Sequence, residues 1–169
     1  IAVFDRFKKW YDDWNKKIDE ENKGRIDASN DPRLISNIGK RILEHNIIGI
    51  DVDSQACEVA SVNLLLKALE KDVRIPEILG KTIINGNSLI HGNESGFDEL
   101  TNEEKEQINP LLWDKIKPVD GFDVVVGNPP YFKIRTSDRT RISEHFEKPQ
   151  IAFVFVSKAQ ELVKNGGKI

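Results

Sequence analysis

The chain has 169 residues, of which 38% are hydrophobic and 31% charged, and 25 basic against 28 acidic residues give a formal net charge of −3. This length fits one domain, and the apolar and aromatic content separates the chain from the disordered class. No apolar run approaches the roughly 18 residues of a membrane span, and no signal peptide opens the chain. We therefore expect a cytoplasmic protein with no membrane partner and no overall basic surface for nucleic acid.

The rarest residue types narrow the class of protein further. Cys57 is the only cysteine, which excludes an intrachain disulfide. His45, His91 and His145 lie far apart, without a cysteine or HxxxH partner, so we expect no metal site. The sequence contains no Met, so residue 1 is not a translation start, and we expect an interior piece of a longer protein.

The first 45 residues are predicted to be helical. An amphipathic helix is indicated by two adjacent stripes at helical spacing: Val3, Phe7, Trp10 and Trp14, and then Phe4, Tyr11 and Ile18. The aromatic stripe could be a ligand platform, but this period favours a core-facing helix. After a polar loop, Pro32 is predicted to begin a second helix whose apolar side carries Leu34, Ile35, Ile38, Ile42 and Leu43.

Strand and helix signals alternate from residue 46 onwards. Strands are predicted at residues 46–51, 81–85 and 122–126. A helix is predicted at residues 54–69, capped by Asp53 or Ser54, and another at residues 150–163, with Gly166 and Gly167 as its C-terminal stop. Residues 92–121 form a polar insertion with a short helix near residues 102–108. This alternation predicts a doubly wound α/β sheet that binds ligands at the carboxyl ends of its strands.

The first two strand ends carry polar side chains that suit a nucleotide. In the run GIDVD, Asp51 ends the strand, where its carboxylate can accept hydrogen bonds from ribose hydroxyls, while Asp53 suits the next helix's N-cap. In NGNSL, the side-chain carbonyl of Asn87 can face an adenine amino group. Both runs also fit ordinary structure, because acids end many strands where the chain turns toward water, and Asn-Gly pairs form turns.

The third strand end is GNPPY, at residues 127–131. Two consecutive prolines fix φ, favour an extended Asn128 and remove two N–H donors from the loop. The side-chain oxygen of Asn128 and the carbonyl oxygen of Pro129 could therefore converge on one amino group, with Tyr131 as a stacking face. Such a pocket suits a nucleobase or a planar amide, although Asn-Pro-Pro also forms ordinary turns.

In this order, the runs NIIGIDVD, INGNSL, FDVVVGNPPYF and NGGKI resemble the S-adenosylmethionine-dependent N6-adenine DNA methyltransferases. The resemblance covers residues 46–169 and is particularly to the methyltransferase part of fused type II restriction-modification enzymes and to type I modification subunits. It implies a Rossmann-like (class I) fold in which residues 46–91 bind the cofactor and residues 122–169 form the catalytic part, with a helical part at residues 1–45 and the insertion at residues 92–121. The family's glycine-rich motif has no counterpart in residues 1–44, so we expect a partial domain that lacks its first strand.

The resemblance also implies roles for individual residues. Asp51 would contact the ribose of S-adenosylmethionine, with Val52 beside its adenine ring, and Asn87, followed by Ser88, would contact the adenine amino group. The catalytic tetrapeptide would be Asn128, Pro129, Pro130 and Tyr131. An adenine flipped out of double-stranded DNA, its amino nitrogen held by Asn128 and Pro129, would attack the sulfonium methyl directly without a strong general base.

Other activities stay open. Cytosine-carbon methylation needs a nucleophilic cysteine in a Pro-Cys loop, whereas Cys57 is predicted to be a core residue inside a helix. NPPY also occurs in methyltransferases that modify protein glutamine amides, and related loops occur in RNA guanine enzymes. GNSL, the insertion and the glycine before Asn128 favour the DNA enzymes. The chain could also be a non-catalytic fragment or interaction module that retains the sites.

The segment at residues 133–148 holds five Lys or Arg and three Asp or Glu. It could contact DNA phosphates beside the flipped base, or it could be a solvated surface loop. Target-recognition elements, and any nuclease domain, are expected elsewhere in the full-length protein.

Overall fold

The computed structural model describes residues 1–70, 74, 76–91, 101–130 and 151–169. Helices alternate with short parallel strands, and the chain divides into two units, Ile1–Gly86 and Asn87–Ile169. The predicted α/β class is therefore confirmed. In these described ranges, no helix combines the length and apolar character that crossing a membrane requires.

The described residues of the first unit form three α-helices, one 3₁₀ helix and two strands. In chain order they are α1 (Ala2–Glu21), the 3₁₀ helix (Ala28–Asn30), α2 (Ile38–His45), β1 (Gly49–Asp51), α3 (Ser54–Ala68) and β2 (Ile83–Asn85). Strands β1 and β2 pair in parallel, with Asp51 aligned to Asn85. The core of this unit includes Phe4, Tyr11, Ile38, Ile42, Leu43, Cys57, Leu64, Ala68, Ile78 and Ile83.

Helix α1 buries one of its two apolar stripes in the core, and the other stripe contacts the core through Phe7. Phe4, Tyr11 and Ile18 are buried, whereas Trp10 and Trp14 are 57% and 40% exposed and stack on each other with ring centroids 6.2 Å apart. The stripe that includes Trp10 and Trp14 lies beside the buried stripe, because each residue turns the helix by about 100°. The predicted amphipathic helix is confirmed, but placing its two tryptophans against the core was wrong.

The sequence predicted that the second helix begins at Pro32, but α2 begins at Ile38. Side chains hold the preceding residues in a loop: Asn15 donates to the carbonyl of Ile35 (2.8 Å) and accepts from its N–H (2.9 Å). Asp31 accepts from the N–H of Arg33 (2.9 Å) and also pairs with its guanidinium, which with Asn22 holds the pKa of Asp31 well below its usual range. These hydrogen bonds compete with helix formation over residues 31–37.

Helices α2 and α3 approach each other closely at Gly39. A Cβ atom at this position would lie 2.6 Å from the carbonyl oxygen and 2.8 Å from the Cα of Ala68. The backbone N–H of Gly39 donates to the carboxylate of Glu70 at 2.7 Å. Glycine is thus required here by backbone contact, since any side chain would force the two helices apart.

The described residues of the second unit form three α-helices and four strands. In chain order they are β3 (Asn87–His91), α4 (Asn102–Ile108), β4 (Pro110–Leu111), α5 (Trp113–Ile116), β5 (Phe122–Val124), α6 (Ile151–Leu162) and β6 (Val163–Lys168). The predicted short helix in the insertion is confirmed as α4, whose N-terminus is closed by a capping box between Thr101 and Glu104. The insertion also supplies β4, which pairs in parallel with β3, and the buried Trp113, neither of which the sequence had indicated.

Strand β6 corrects the expected end of the last helix. Gly166 and Gly167 were predicted to stop that helix, yet α6 ends at Leu162 and both glycines lie within β6. Between its two aligned pairs with β5, Phe122 with Val163 and Val124 with Lys168, β6 advances further than its partner and bulges. Gly166 has φ +79°, and a Cβ on Gly167 would lie 2.8 Å from the carbonyl oxygen of Asp123. The bulge therefore requires glycine at both positions.

The strands are shorter than predicted, and the described residues form three two-stranded parallel sheets, β1 with β2, β3 with β4, and β5 with β6. Asn46, predicted to open the first strand, is instead the C-cap of α2, and its N–H donates to the carbonyl of Ile42 at 3.0 Å. Asn87, predicted to follow the second strand, opens a further strand, β3. A doubly wound arrangement of these strands stays a prediction.

Replacing Gly39 with alanine tests the contact between α2 and α3. Alanine normally stabilises a helix relative to glycine, by up to about 1 kcal/mol. Here we expect the opposite sign, a loss of about 1–3 kcal/mol, because the new Cβ meets the backbone of Ala68. Native-state hydrogen exchange of α2 and α3 measures the change.

The matched control for this substitution is Arg41→Ala, at an exposed position of α2. It should change the free energy of opening of α2 and α3, measured by hydrogen exchange, by less than about 0.5 kcal/mol. Increased protection in Gly39→Ala would contradict the close approach of the two helices.

Candidate functional site

The carboxyl end of β1 presents Asp51 and Val52 at the surface, and Val52 is 64% exposed. One carboxylate oxygen of Asp51 (Oδ1) accepts from the N–H of Asp53 at 2.9 Å. The side chain of Asp53 in turn accepts from the N–H groups of Gln55 (2.9 Å) and Ala56 (3.3 Å). The two acids therefore have different functions: Asp53 is the N-cap of α3, as one of the two predicted caps, and Asp51 is left to face solvent.

A residue that sequence reasoning missed holds this turn from the neighbouring strand. The side-chain amide of Asn85 donates to the carbonyls of Asp51 (3.1 Å) and Val52 (2.9 Å). The N–H of Gly86 also donates to the carbonyl of Asp51, at 2.8 Å. The available signal was positional, because Asn85 ends β2 as Asp51 ends β1, and residues that end paired parallel strands lie side by side.

Cys57 lies beneath the same turn and is 1% exposed. Its Sγ lies 3.6 Å from the carbonyl oxygens of Asp51 and Ile84. Burial raises the pKa of the thiol above its ordinary value. The predicted role as a small core residue is confirmed, and a buried thiol of raised pKa is a poor nucleophile.

Asn87 and Ser88 open β3 and are half-buried. The backbone N–H of Asn87 donates to the carbonyl of Asn109 at 2.7 Å, and its side-chain oxygen accepts from the N–H of Leu89 at 3.1 Å. A carbonyl oxygen has two lone pairs, so the Asn87 side chain retains the capacity to accept a second hydrogen bond. The indole of Trp113 donates to the carbonyl of Ser88 at 3.2 Å, which fixes this end of β3.

The Asn-Pro-Pro segment follows β5. The last hydrogen bond to β6 joins the N–H of Val125 to the carbonyl of Lys168 at 2.9 Å, and beyond it Asn128 and Pro130 are exposed while Pro129 is half-buried. Tyr131 and the basic segment at residues 133–148 lie outside the described residues. An ion pair between Asp123 and Lys164 joins β5 to β6, and this interaction lowers the pKa of Asp123.

The predicted site residues thus occupy three places. Asp51 and Val52 lie together, with Asn85, in the first unit. The second unit carries Asn87 with Ser88 at the start of β3, and residues 128–130 after β5.

The comparison with protein families decides the class. Residues 45–169 match the family described as Eco57I restriction-modification methylase, and this range includes every predicted site residue. The chain belongs to this family. Helix α1 lies before the matched range. The predicted kinship with restriction-modification methyltransferases is therefore confirmed at the level of the family.

Two curated relatives have names that combine a restriction enzyme with a methyltransferase. A type II restriction enzyme and methyltransferase of Escherichia coli, RM.Eco57I, is 38% identical over 107 residues, which cover 59% of this chain and 10% of the relative. A protein of Methanocaldococcus jannaschii is 29% identical over 117 residues, which cover 61% of this chain and 10% of the relative. Its assigned name is also that of a type II restriction enzyme and methyltransferase. The chain spans about a tenth of the length of the curated relatives it matches.

The reactivity of Cys57 tests its assignment to the core. Burial excludes the reagent from the thiol and raises the thiol pKa. Alkylation of Cys57 by iodoacetamide at pH 8 should therefore be at least ~100-fold slower in the native protein than in the protein unfolded by urea. The rate is read by mass spectrometry on the peptide that carries Cys57. Rapid native alkylation would contradict the assignment and reopen a nucleophilic role.

Proposed function

We propose that this chain is the catalytic part of an S-adenosylmethionine-dependent DNA methyltransferase that modifies the N6 amino group of adenine in a restriction-modification system. The observation that carries the proposal is the Asn-Pro-Pro segment, which follows β5 with Asn128 exposed and lies inside the range that matches the restriction-modification methylase family. The two acceptors of this segment suit a planar amino group, and the family supplies DNA as the substrate class.

The cofactor half of the proposal rests on β1 and β3. Oδ1 of Asp51 accepts from the N–H of Asp53, and within the described ranges Oδ2 takes part in no hydrogen bond or ion pair. An exposed carboxylate with a free oxygen fits a ribose hydroxyl, the neighbouring Val52 offers an apolar surface to an adenine ring, and Asn87 offers an acceptor to its amino group. These residues fit S-adenosylmethionine, which when bound supplies an electrophilic methyl group.

The acceptor half of the proposal rests on Asn128 and Pro129. Their two oxygens would each accept one hydrogen of the target amino group, which holds its nitrogen in place and draws the lone pair out of conjugation with the ring. Proline at residues 129 and 130 keeps this loop stiff and removes N–H donors that would otherwise compete for the same oxygens. Tyr131, next in the sequence, would stack on the flipped base.

The partners follow from the same assignment. Double-stranded DNA with one flipped adenine is the proposed substrate, and the basic residues at positions 133–148 are proposed to contact its phosphates. Both curated relatives carry names that combine a restriction enzyme with a methyltransferase. We therefore propose that target recognition and cleavage, where present, belong to other parts of a full-length cytoplasmic protein.

Replacing Asn128 with alanine in the full-length protein tests the acceptor half. Methyl transfer to adenine-containing duplex DNA should fall by about 10²–10³-fold, because one of two preorganised acceptors is lost. Binding of S-adenosylmethionine should stay within about threefold, since Asn128 lies outside the proposed cofactor site. The assay follows a tritiated methyl group into DNA and identifies the modified base after digestion.

The control for this assay is Asn102→Ala, which removes an exposed amide from the start of α4 and should leave methyl transfer unchanged. Protein and RNA are offered to the wild type in parallel. Labelling of a protein glutamine or an RNA base, with none in DNA, would overturn the proposed substrate.

Asp51 and Asp53 form a matched pair that tests the cofactor half. Asp51→Asn keeps an acceptor for the N–H of Asp53 but replaces the second oxygen by a donor, so S-adenosylmethionine should bind about 10–100-fold more weakly by calorimetry. Asp53→Ala should instead destabilise α3 by about 0.5–2 kcal/mol through loss of the N-cap. Equal cofactor affinity in wild type and Asp51→Asn would remove Asp51 from the site.

A further inference from the structure

Asn85 has no part in the proposed function as described so far. It ends β2 directly across from Asp51 in the parallel register. Its single NH₂ group carries two hydrogens, and the structure gives each of them an acceptor, the carbonyls of Asp51 (3.1 Å) and Val52 (2.9 Å). One side chain therefore holds two successive peptide groups of the turn that presents the proposed ribose-binding acid.

Neighbouring groups complete the fixation of this turn. The N–H of Gly86 donates to the carbonyl of Asp51 at 2.8 Å, and the N–H of Asp53 donates to its Oδ1 at 2.9 Å. The main chain of Asp51 is thus held from β2, while its side chain is held from the turn itself. Together these hydrogen bonds define one direction for the carboxylate.

Asn85 also hydrogen-bonds the buried thiol of Cys57. Its hydrogen bonds to the carbonyls of Asp51 and Val52 are not needed to satisfy those two groups. The carbonyl of Asp51 already has the Gly86 N–H, and Val52 is 64% exposed, so water can reach its carbonyl when Asn85 is absent. Exchanging such bonds for bonds to water costs little net stability. What the amide adds is a fixed orientation of the turn, and orientation matters for a ligand that must meet Asp51 and Val52 together.

We propose that Asn85 is a positioning residue that preorganises the turn of Asp51 and Val52 for the nucleoside part of S-adenosylmethionine. The proposal rests on the proposed function, since it assigns the ligand of Asp51. Asn85 touches no substrate in this assignment and acts through the backbone of the two residues that do. Its loss should weaken cofactor binding without slowing the chemical step.

The test uses Asn85→Leu in the full-length protein, which keeps the shape of the side chain and removes both donors. We expect the Kd for S-adenosylmethionine to rise about tenfold by calorimetry, and kcat at saturating cofactor and DNA to stay within about twofold. Asn85→Asp should cost more, since its carboxylate would face two carbonyl oxygens. Hydrogen exchange of β1 and α3 verifies that each variant is folded, and Asn85→Ala replaces any variant that is not.

The matched control is Asn63→Leu. The Asn63 amide also donates to a backbone carbonyl, that of Val59 at 2.9 Å, but it lies on α3 away from the turn. Its removal should leave the Kd unchanged. A similar loss of affinity in both variants would reduce Asn85 to a general contribution to folding and overturn the proposal.

A double-mutant cycle separates positioning from a merely structural role. In an Asp51→Asn background, Asn85→Leu should add less than about a twofold loss of affinity, because the group it orients is already altered. Equal losses in both backgrounds would overturn the proposal. If Asp51→Asn weakens binding and Asn85→Leu does not, only this inference fails; if Asp51→Asn has no effect, the proposed function of Asp51 fails with it.

Discussion

The parallel pairing of β1 with β2 is the constraint on which the first unit depends. Only three residues of each strand pair, but the ladder is extended by the N–H of Gly49, which donates to the carbonyl of Thr82 at 2.7 Å. The Thr82 hydroxyl then donates to the carbonyl of Leu43 at 2.6 Å, which ties α2 to the same pair. On the core side Ile83 is buried among the helices, and at the carboxyl end Asp51 and Asn85 meet. One short ladder thus fixes both the packing of the helices against Ile83 and the turn that carries Asp51.

The sequence predicted the elements of this fold better than their ends. Local signals predicted α3 with its Asp53 cap and the position of α4, because the N-terminus of each helix is capped by side chains within a few residues. The start of α2 failed because Asn15, twenty residues away, holds the backbone of Ile35. Gly166 and Gly167 were misjudged for a related reason, since only pairing with β5 makes a bulged strand preferable to a helix cap. Hydrogen bonds between distant segments leave no trace in a periodic pattern.

In the candidate site too, residue type and position indicate some residues, whereas others can be recognised only from the pairing of the strands. Asp51, Asn87 and Asn128 were proposed from residue type and position after an apolar run, and all three lie within the range of the family match. Asn85 was overlooked because its contribution lies in donating to the carbonyls of another strand, which requires the parallel register to be known. Reading polar residues at the ends of paired strands as pairs, instead of one at a time, would have identified it.

The exposed stack of Trp10 and Trp14 has a practical consequence for spectroscopy. Two of the three tryptophans of this chain share the exposed side of α1 in the first unit, whereas Trp113 is buried in the second. Emission from the stacked pair should lie at long wavelength and be quenched readily by acrylamide, while that from Trp113 should be blue-shifted and shielded. Intrinsic fluorescence of this chain therefore contains separate optical reporters for its two units, and substituting the stacked pair would isolate the signal of the unit that carries Asn128.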